Sequence, residues 1–217
     1  MQKHMESSQP AAEQRTSLRT ATAHDVAQLA SVLAAAFNHD PVFERLLPNE
    51  RTRARGLRRF FEIELRAVGL ARGTVWTTDE LDGAALSTGP GKWRMPAHAL
   101  VLHGRAFSRA FGVRLPRAAT LLARVESRHV RQPHHYFPAI GVAPERQGQG
   151  LGSKLMAPTL ECCDQAGLPA YLEASSERSA ALYERLGFRV VRELQYGGSQ
   201  SLRLMLRAPN VQKGSIT

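Results

Sequence analysis

Cysteine is nearly missing from this chain: there are two among 217 residues, Cys162 and Cys163, and they are neighbours. Adjacent cysteines are badly placed to pair with each other, so no disulfide framework is expected and a reduced, cytoplasmic setting follows as the default. No histidine is spaced to activate them, and they read as a small-residue helix face rather than a nucleophile. Long apolar runs are missing too. Nothing reaches the roughly 20 residues that a membrane-spanning helix needs, and Met1 to Arg15 is polar without the apolar centre of a secretory signal; no membrane partner is expected. Acidic residues are scarce, 19 Asp+Glu against 29 Lys+Arg, for a net charge of +10. Such a surface attracts polyanions, but the arginines are scattered and no DNA- or RNA-binding motif accompanies them, so no nucleic-acid partner is expected. His129, His134 and His135 lack Cys, Asp or Glu at metal-ligand spacing and read as polar residues leading into a strand, with no metal.

What is present suits one domain with a sizeable core. Residues 1–16 read as a disordered leader, 17–207 as a single domain and 208–217 as a C-terminal tail. A short strand over 17–21 precedes a capping box, Thr22-x-x-Asp25, and a helix with Val26, Leu29, Ala30, Leu33 and Phe37 on one face. That helix is expected to stop near Asn38, before Asp40-Pro41. A second helix is predicted over 51–69, a hairpin over 73–79 and 83–88, and two helical stretches between Pro96 and Val130 broken around 112–116. The order is mixed α/β.

The most informative stretch is Tyr136 to Met156, YFPAIGVAPERQGQGLGSKLM. An apolar strand breaks at Ala143-Pro144 and passes through a glycine-dense turn into helical spacing. Gly148, Gly150 and Gly152 alternate with Gln149 and Leu151, so side chains are missing where a bulky anion would touch main chain. A helix starting near Gly150 leaves its first N–H groups unpaired and its positive dipole end facing the loop. A pyrophosphate fits that description. The P-loop pattern fails because Ser153-Lys154 is in reverse order, and the Rossmann pattern fails because the glycines run G-x-G-x-G. Gln147, Gly150 and Gly152 do satisfy Q-x-x-G-x-G. The helix over 151–167 carries Pro158, which is expected to kink or split it. A strand over 169–174, a helix over 178–186 closed by Gly187, and a hairpin over 188–195 and 201–207 complete the chain.

With that motif the chain resembles the GNAT superfamily of acyl-CoA-dependent N-acyltransferases, and the run Ala181-Leu182-Tyr183-Glu184-Arg185-Leu186-Gly187-Phe188 extends the likeness. Within the superfamily, Phe137 to Phe188 is most similar to the puromycin N-acetyltransferases, through the mid-helix proline, an A-G-x-P-A turn, an L-E-x-S strand end and the Y-E-R-L-G-F run. The resemblance implies a GNAT fold, a mixed, mostly antiparallel central sheet with splayed central parallel strands flanked by helices. It implies acetyl-CoA as cosubstrate, bound through Ile140, Gly141, Val142, Gln147, Gly148, Gln149, Gly150, Leu151, Gly152, Ser153, Ser176 and Ser179. Ser176 stands where many members place Asn. A homodimer is compatible with the superfamily's habits.

Acyl transfer from a thioester to an amine needs a neutral nucleophile, a stabilised oxyanion and a proton for the departing thiolate. A phenol, with an ordinary pKa near ~10, stays protonated at neutral pH and can protonate a thiolate of pKa near ~8.5. Tyr183 is the candidate acid; the resemblance sets it beside the coenzyme A sulfur, and packing under its helix with Leu182 and Leu186 is its other, lesser reading. Glu173, near the end of an apolar strand, is the candidate base through a relayed water; ordering a loop or the amine is its other reading. Pro138 cannot sit in mid-ladder and implies a bulge or an unpaired edge, leaving N–H groups around 140–142 for the thioester oxygen. Asp40, Glu62 and Glu64 could offer negative charge to a cationic acceptor but are expected to be solvated surface groups. The loop from Ser87 to Trp93 is either an acceptor mouth or an ordinary turn. The expectation is an N-acetyltransferase acting on a primary amine of a small molecule by direct attack. Protein or peptide amines, or a non-catalytic coenzyme A sensor, are the alternatives.

Overall fold

In the computed structural model, which describes residues 17–197 and 200–210, the chain folds around a seven-stranded sheet of order β1-β2-β3-β4-β5-β7-β6. The expected leader lies outside the described residues, as do 211–217 of the expected tail. The strands are Leu18–Thr20 (β1), Gly73–Thr78 (β2), Gly83–Thr88 (β3), His135–Val142 (β4), Ala170–Ala174 (β5), Arg189–Gly197 (β6) and Gln200–Arg207 (β7). Every neighbouring pair is antiparallel except β4 and β5, which run parallel. The helices are Val26–Ala36 (α1), Pro41–Leu46 (α2), Glu50–Ile63 (α3), Ala97–Phe111 (α4), Leu115–Arg128 (α5), Leu151–Ala166 (α6) and Glu177–Arg185 (α7).

Two apolar layers sandwich the sheet. On one face Leu151, Leu155, Met156 and Leu160 of α6 and Ala180 and Tyr183 of α7 pack on Ala85, Phe137, Leu172 and Ala174. On the other, Leu29 and Leu33 of α1 and Leu57 and Phe61 of α3 cover Ala84, Leu86 and Ala139. The period-2 alternation of β3, with Ala84 and Leu86 on one side and Ala85 on the other, assigns each side chain to its layer.

Three local expectations need correction. Asp40-Pro41 does more than stop α1: the Asp40 carboxylate accepts from Val42 N (2.9 Å) and Phe43 N (3.2 Å), and Pro41 occupies the first turn, so the pair starts α2. The helix predicted to reach residue 69 changes winding, with α3 giving way to a π-helical stretch over Glu64–Leu70. Pro158 does not split α6, which is unbroken from Leu151 to Ala166. The carbonyl deprived of its partner belongs to Lys154, which is exposed, so the loss falls where water can compensate.

The centre of the sheet is interrupted where function was expected. Between Leu86↔Ala139 and Thr88↔Tyr136 the register slips, so β4 carries one residue more than β3 around Pro138: a β-bulge. At the same point β4 leaves β5, the parallel pairing ending at Phe137↔Leu172. From Pro138 to Val142, β4 is therefore laddered to β3 alone and turns alternate backbone groups into the gap.

Candidate active site

The glycine loop caps that gap. Gly148 (φ +80°) and Gly150 (φ +77°) are left-handed, where an L side chain is strained, and a Cβ on either would meet no protein atom within 4 Å. The space beside them is open. Among the described residues, no acceptor takes the N–H groups of Gly148, Gln149, Gly150, Leu151, Gly152 or Ser153, the first bond onto the helix being Lys154 N to Gly150 O at 3.1 Å. Unpaired amides at the positive end of a 16-residue helix offer donors of the kind a diphosphate accepts. Gln147 and Gln149 brace the loop from inside, Gln147 Nε2 donating to Val142 O (3.0 Å) and Gln149 Nε2 to Glu145 O (3.3 Å).

The loop is also tied to the β2–β3 hairpin through Asp82. Its carboxylate accepts from Arg146 Nε at 2.8 Å and from Thr78 Oγ1 at 2.6 Å, and its carbonyl accepts from Ala143 N at 2.8 Å. Sequence reasoning passed over Asp82, whose loop partners lie about sixty positions away. Gly141 has a packing reason: a Cβ there would fall 2.7 Å from Leu33 Cδ2, so α1 approaches β4 only because the side chain is missing. Ile140 and Val142, half-buried, pack toward α6. Ser176 and Ser179 form a reciprocal capping box at the start of α7, each hydroxyl accepting from the other's N–H at 3.2 Å.

That cap sets the orientation of α7 and so of Tyr183. The ring is buried, 6% exposed, against Phe188 and the α6 layer. Burial, and next the charge of Asp40, push its phenol well above the ordinary tyrosine value, so it is a proton carrier at every physiological pH. Asp40 is the charge acting on it, not Glu173. Rather than a solvated surface group, Asp40 is largely enclosed between α2 and the end of β5, where Ser175 Oγ donates to its Oδ2; burial raises its carboxyl above the ordinary range despite the bonds it accepts.

Glu173 faces the other side of the sheet, on the face of β5 that carries Tyr171, opposite to Leu172 and Ala174. Tyr136 Oη donates to its Oε2 at 2.9 Å, while Oε1 is buried with no hydrogen-bond partner and lies 3.7 Å from His129 Nδ1. Thr88 Oγ1 and Tyr171 Oη are likewise buried and unpartnered. The histidines do lead into β4, but two of them are enclosed: His129 and His134 are buried, their Nε2 atoms 2.9 Å apart, and Trp93 stacks on His129 at 3.7 Å between ring centroids. Burial lowers the His134 pKa, keeping one ring of this pair neutral so that it can accept. Trp93 thus closes over the histidines. Among the described residues, no group of three or more His, Cys, Asp or Glu is arranged to hold a metal.

Glu62 is the surface group expected, paired with Arg58 at 3.1 Å. Glu64 is not. At the start of the π-helical stretch it has no hydrogen-bond or ion-pair partner among the described residues, burial pushes its carboxyl up to about 7, and its charge acts on the Tyr136 phenol. The Tyr136 phenol is raised well above its ordinary value, first by burial and then by Glu173. Helical spacing sets Glu64 three residues after Phe61 and seven after Leu57, on the buried stripe, and the packing against that stripe is what encloses it.

The architecture is that of an acetyltransferase: a turn of unpaired amides leading into α6, beside a parallel pair that splits at Pro138. The chain belongs to the GNAT acetyltransferase family, whose model matches residues 79–188. It is 30% identical over 209 residues to an uncharacterised N-acetyltransferase of Schizosaccharomyces pombe, covering 88% of this chain and 82% of that one. A mycothiol acetyltransferase of Paenarthrobacter aurescens is 40% identical over 79 residues, 32% of this chain and 24% of its own length. Among solved structures, the Corynebacterium glutamicum protein described as histone acetyltransferase HPA2 and related acetyltransferase superposes with TM-score 0.65 at 24% identity, covering 91% of this chain and 98% of that one. A Salmonella typhimurium acetyltransferase solved with acetyl-CoA superposes with TM-score 0.50 at 18% identity, covering 91% and 95%.

Proposed function

We propose that the protein transfers an acetyl group from acetyl-CoA to a primary amine of a small molecule, by direct attack of the amine on the thioester in a ternary complex. The observation that carries this reading is the run of amides from Gly148 to Ser153, unpaired among the described residues, at the start of α6, which packs with the buried Tyr183 on the strands that split at Pro138. The diphosphate of coenzyme A sits on those amides and pantetheine runs along the unpaired edge of β4. Backbone N–H groups near 140–142 then receive the thioester oxygen as it becomes an oxyanion. Tyr183 gives its proton to the departing thiolate. Glu173, reached through the gap and a relayed water, takes the proton from the amine, with Tyr136 holding its carboxylate. Ser176 and Ser179 act on the cofactor through the position of α7. The likeness of residues 137–188 to puromycin N-acetyltransferases supports small, aminonucleoside-like acceptors, and the Salmonella neighbour bound to acetyl-CoA supports the donor.

The test combines thermal shift with coenzyme A thioesters and thiol release across an amine panel. Wild type is expected to be stabilised by acetyl-CoA and to release thiol only with amine present. Tyr183→Phe is expected to lose at least about a hundredfold in kcat while keeping its affinity for acetyl-CoA. Binding without turnover on any amine makes the protein a sensor and ends this reading.

A further inference from the structure

On the face of the sheet away from α6 lies a half-open cavity of about 560 Å³, lined by Arg45, Arg114, Arg117 and Arg124 over an apolar floor of Leu46, Leu121 and Tyr196. Among the described residues, none of these arginines pairs with a carboxylate; Arg124 Nη2 donates to the Gln195 carbonyl at 2.7 Å, and the others hold no hydrogen bond. Guanidinium groups gathered round one concavity repel one another unless an anion joins them, and their planar donors match phosphate or carboxylate. Tyr196, 8% exposed, adds a buried hydroxyl with no partner. The Arg45 guanidinium lies against the backbone of Gly197, so a Cβ there would displace it.

The cavity wall is built partly from α2, which carries Arg45 and Leu46 and is capped by Asp40, whose other carboxylate oxygen meets Ser175 at the end of β5. Burial raises the Tyr183 and Tyr196 phenols, and the charge of Asp40 adds to both, while Arg45 lowers that of Tyr196. A largely enclosed carboxylate thus caps the helix that brings one of the unpaired cations to the cavity. That is the charge pattern of a pocket for a molecule with an amine at one end and an anion at the other.

We infer that this cavity takes a phosphate or carboxylate carried by the acceptor amine, with Arg45, Arg114, Arg117 and Arg124 as its counter-charges. The inference rests on the amine-acetylating reading above and adds the acceptor's class: a zwitterionic small molecule rather than a purely cationic one. The site is separate from the diphosphate loop, which precedes α6 and serves the other face.

The experiment uses the full chain saturated with coenzyme A, so that the loop's anion site is already filled. Calorimetric titration compares O-phosphoethanolamine, β-alanine and ethanolamine, on wild type and on the double variant Arg45→Gln/Arg117→Gln, both exposed positions; thiol release with acetyl-CoA follows for each pair. At least one anionic amine is expected to bind tenfold or more tightly than ethanolamine, and the double variant to lose that advantage with its Kd for coenzyme A unchanged. Preference for the phosphate or the carboxylate identifies the anion. Equal binding of ethanolamine, binding unaffected in the double variant, or no binding by any of the three overturns the inference. Arginine-dependent binding with no thiol released from any amine keeps the anion site and removes the acetyl-transfer reading instead.

Discussion

Tyr136 and Glu173, on the two strands that part at Pro138, are joined by a 2.9 Å hydrogen bond from the phenol to carboxylate Oε2, one step before the parallel ladder ends. It is a tie across the root of the gap. Because Oε1 already lacks a hydrogen bond, Tyr136→Phe leaves both oxygens of a largely buried carboxylate without one. The expected result is a kcat lowered about ten- to a hundredfold, with the KM for acetyl-CoA within about twofold of wild type. Steady-state kinetics check this. An unchanged kcat would show that Glu173 needs no orientation and would count against its role as base.

Replacing Gly148 or Gly150 by alanine forces an L residue to positive φ, at a cost of roughly 1–2 kcal/mol each. No protein atom stands within 4 Å of the added methyl, so loss of coenzyme A affinity beyond that strain reports the ligand's own volume. Gly152 is the control, having ordinary φ and a methyl position 3.4 Å from Leu182 Cδ2. Chemical denaturation should separate Gly148 and Gly150 from Gly152, while calorimetry should show affinity for coenzyme A reduced at least tenfold in the first two. Retained affinity in either of them means that the diphosphate lies elsewhere.

Glu64 supplies a pH test. Its folded pKa of about 7 lies above the ordinary carboxyl value of 4.5, so between these the folded protein holds a proton that the unfolded chain releases. The stability this represents is complete below about pH 4.5 and lost as the pH rises through 7. Glu64→Gln removes the dependence, and the variant is expected to be more stable than wild type at pH 8 by up to about 3 kcal/mol and nearly equal to it at pH 5. Urea unfolding at the two pH values measures it. A stability difference that does not change with pH would mean that Glu64 is solvated or paired.

Arg146→Ala removes the 2.8 Å bond to Asp82 and with it the link between loop and hairpin. The pair is partly exposed, so the global stability change is expected to stay within about 1 kcal/mol. The larger effect should be on the loop, as a severalfold weaker Kd for coenzyme A with Tyr183 chemistry otherwise intact. A Kd equal to wild type would mean that the amides hold their positions without Asp82.

The strand, turn and helix from Tyr136 to Ala166 were legible because each rests on local chemistry: alternating apolar residues, glycines where φ must be positive, apolar spacing at the helical period. Pro138 announced an interruption in β4 for an equally local reason, its missing donor. Asp40-Pro41 shows where local reading runs out. The same dipeptide can end one helix or cap the next, and the hydroxyl that meets the Asp40 carboxylate in space, on Ser175 at the end of β5, lies 135 positions away. Glu64 reads as a surface carboxylate for a similar reason, since its burial depends on what packs against that face of the helix in space.

The composition and the order of its residues sufficed to specify a mixed α/β sheet, a glycine turn bare of side chains and a helix carrying Tyr183 and closed by Gly187, because those follow from backbone geometry over a few residues. Folding alone settled that Asp40 is enclosed against Ser175, that Glu173 is held by Tyr136 on the opposite face, and that scattered arginines meet around one cavity. Such relations depend on distances in space between groups far apart along the chain, and electrostatics and burial act through those distances.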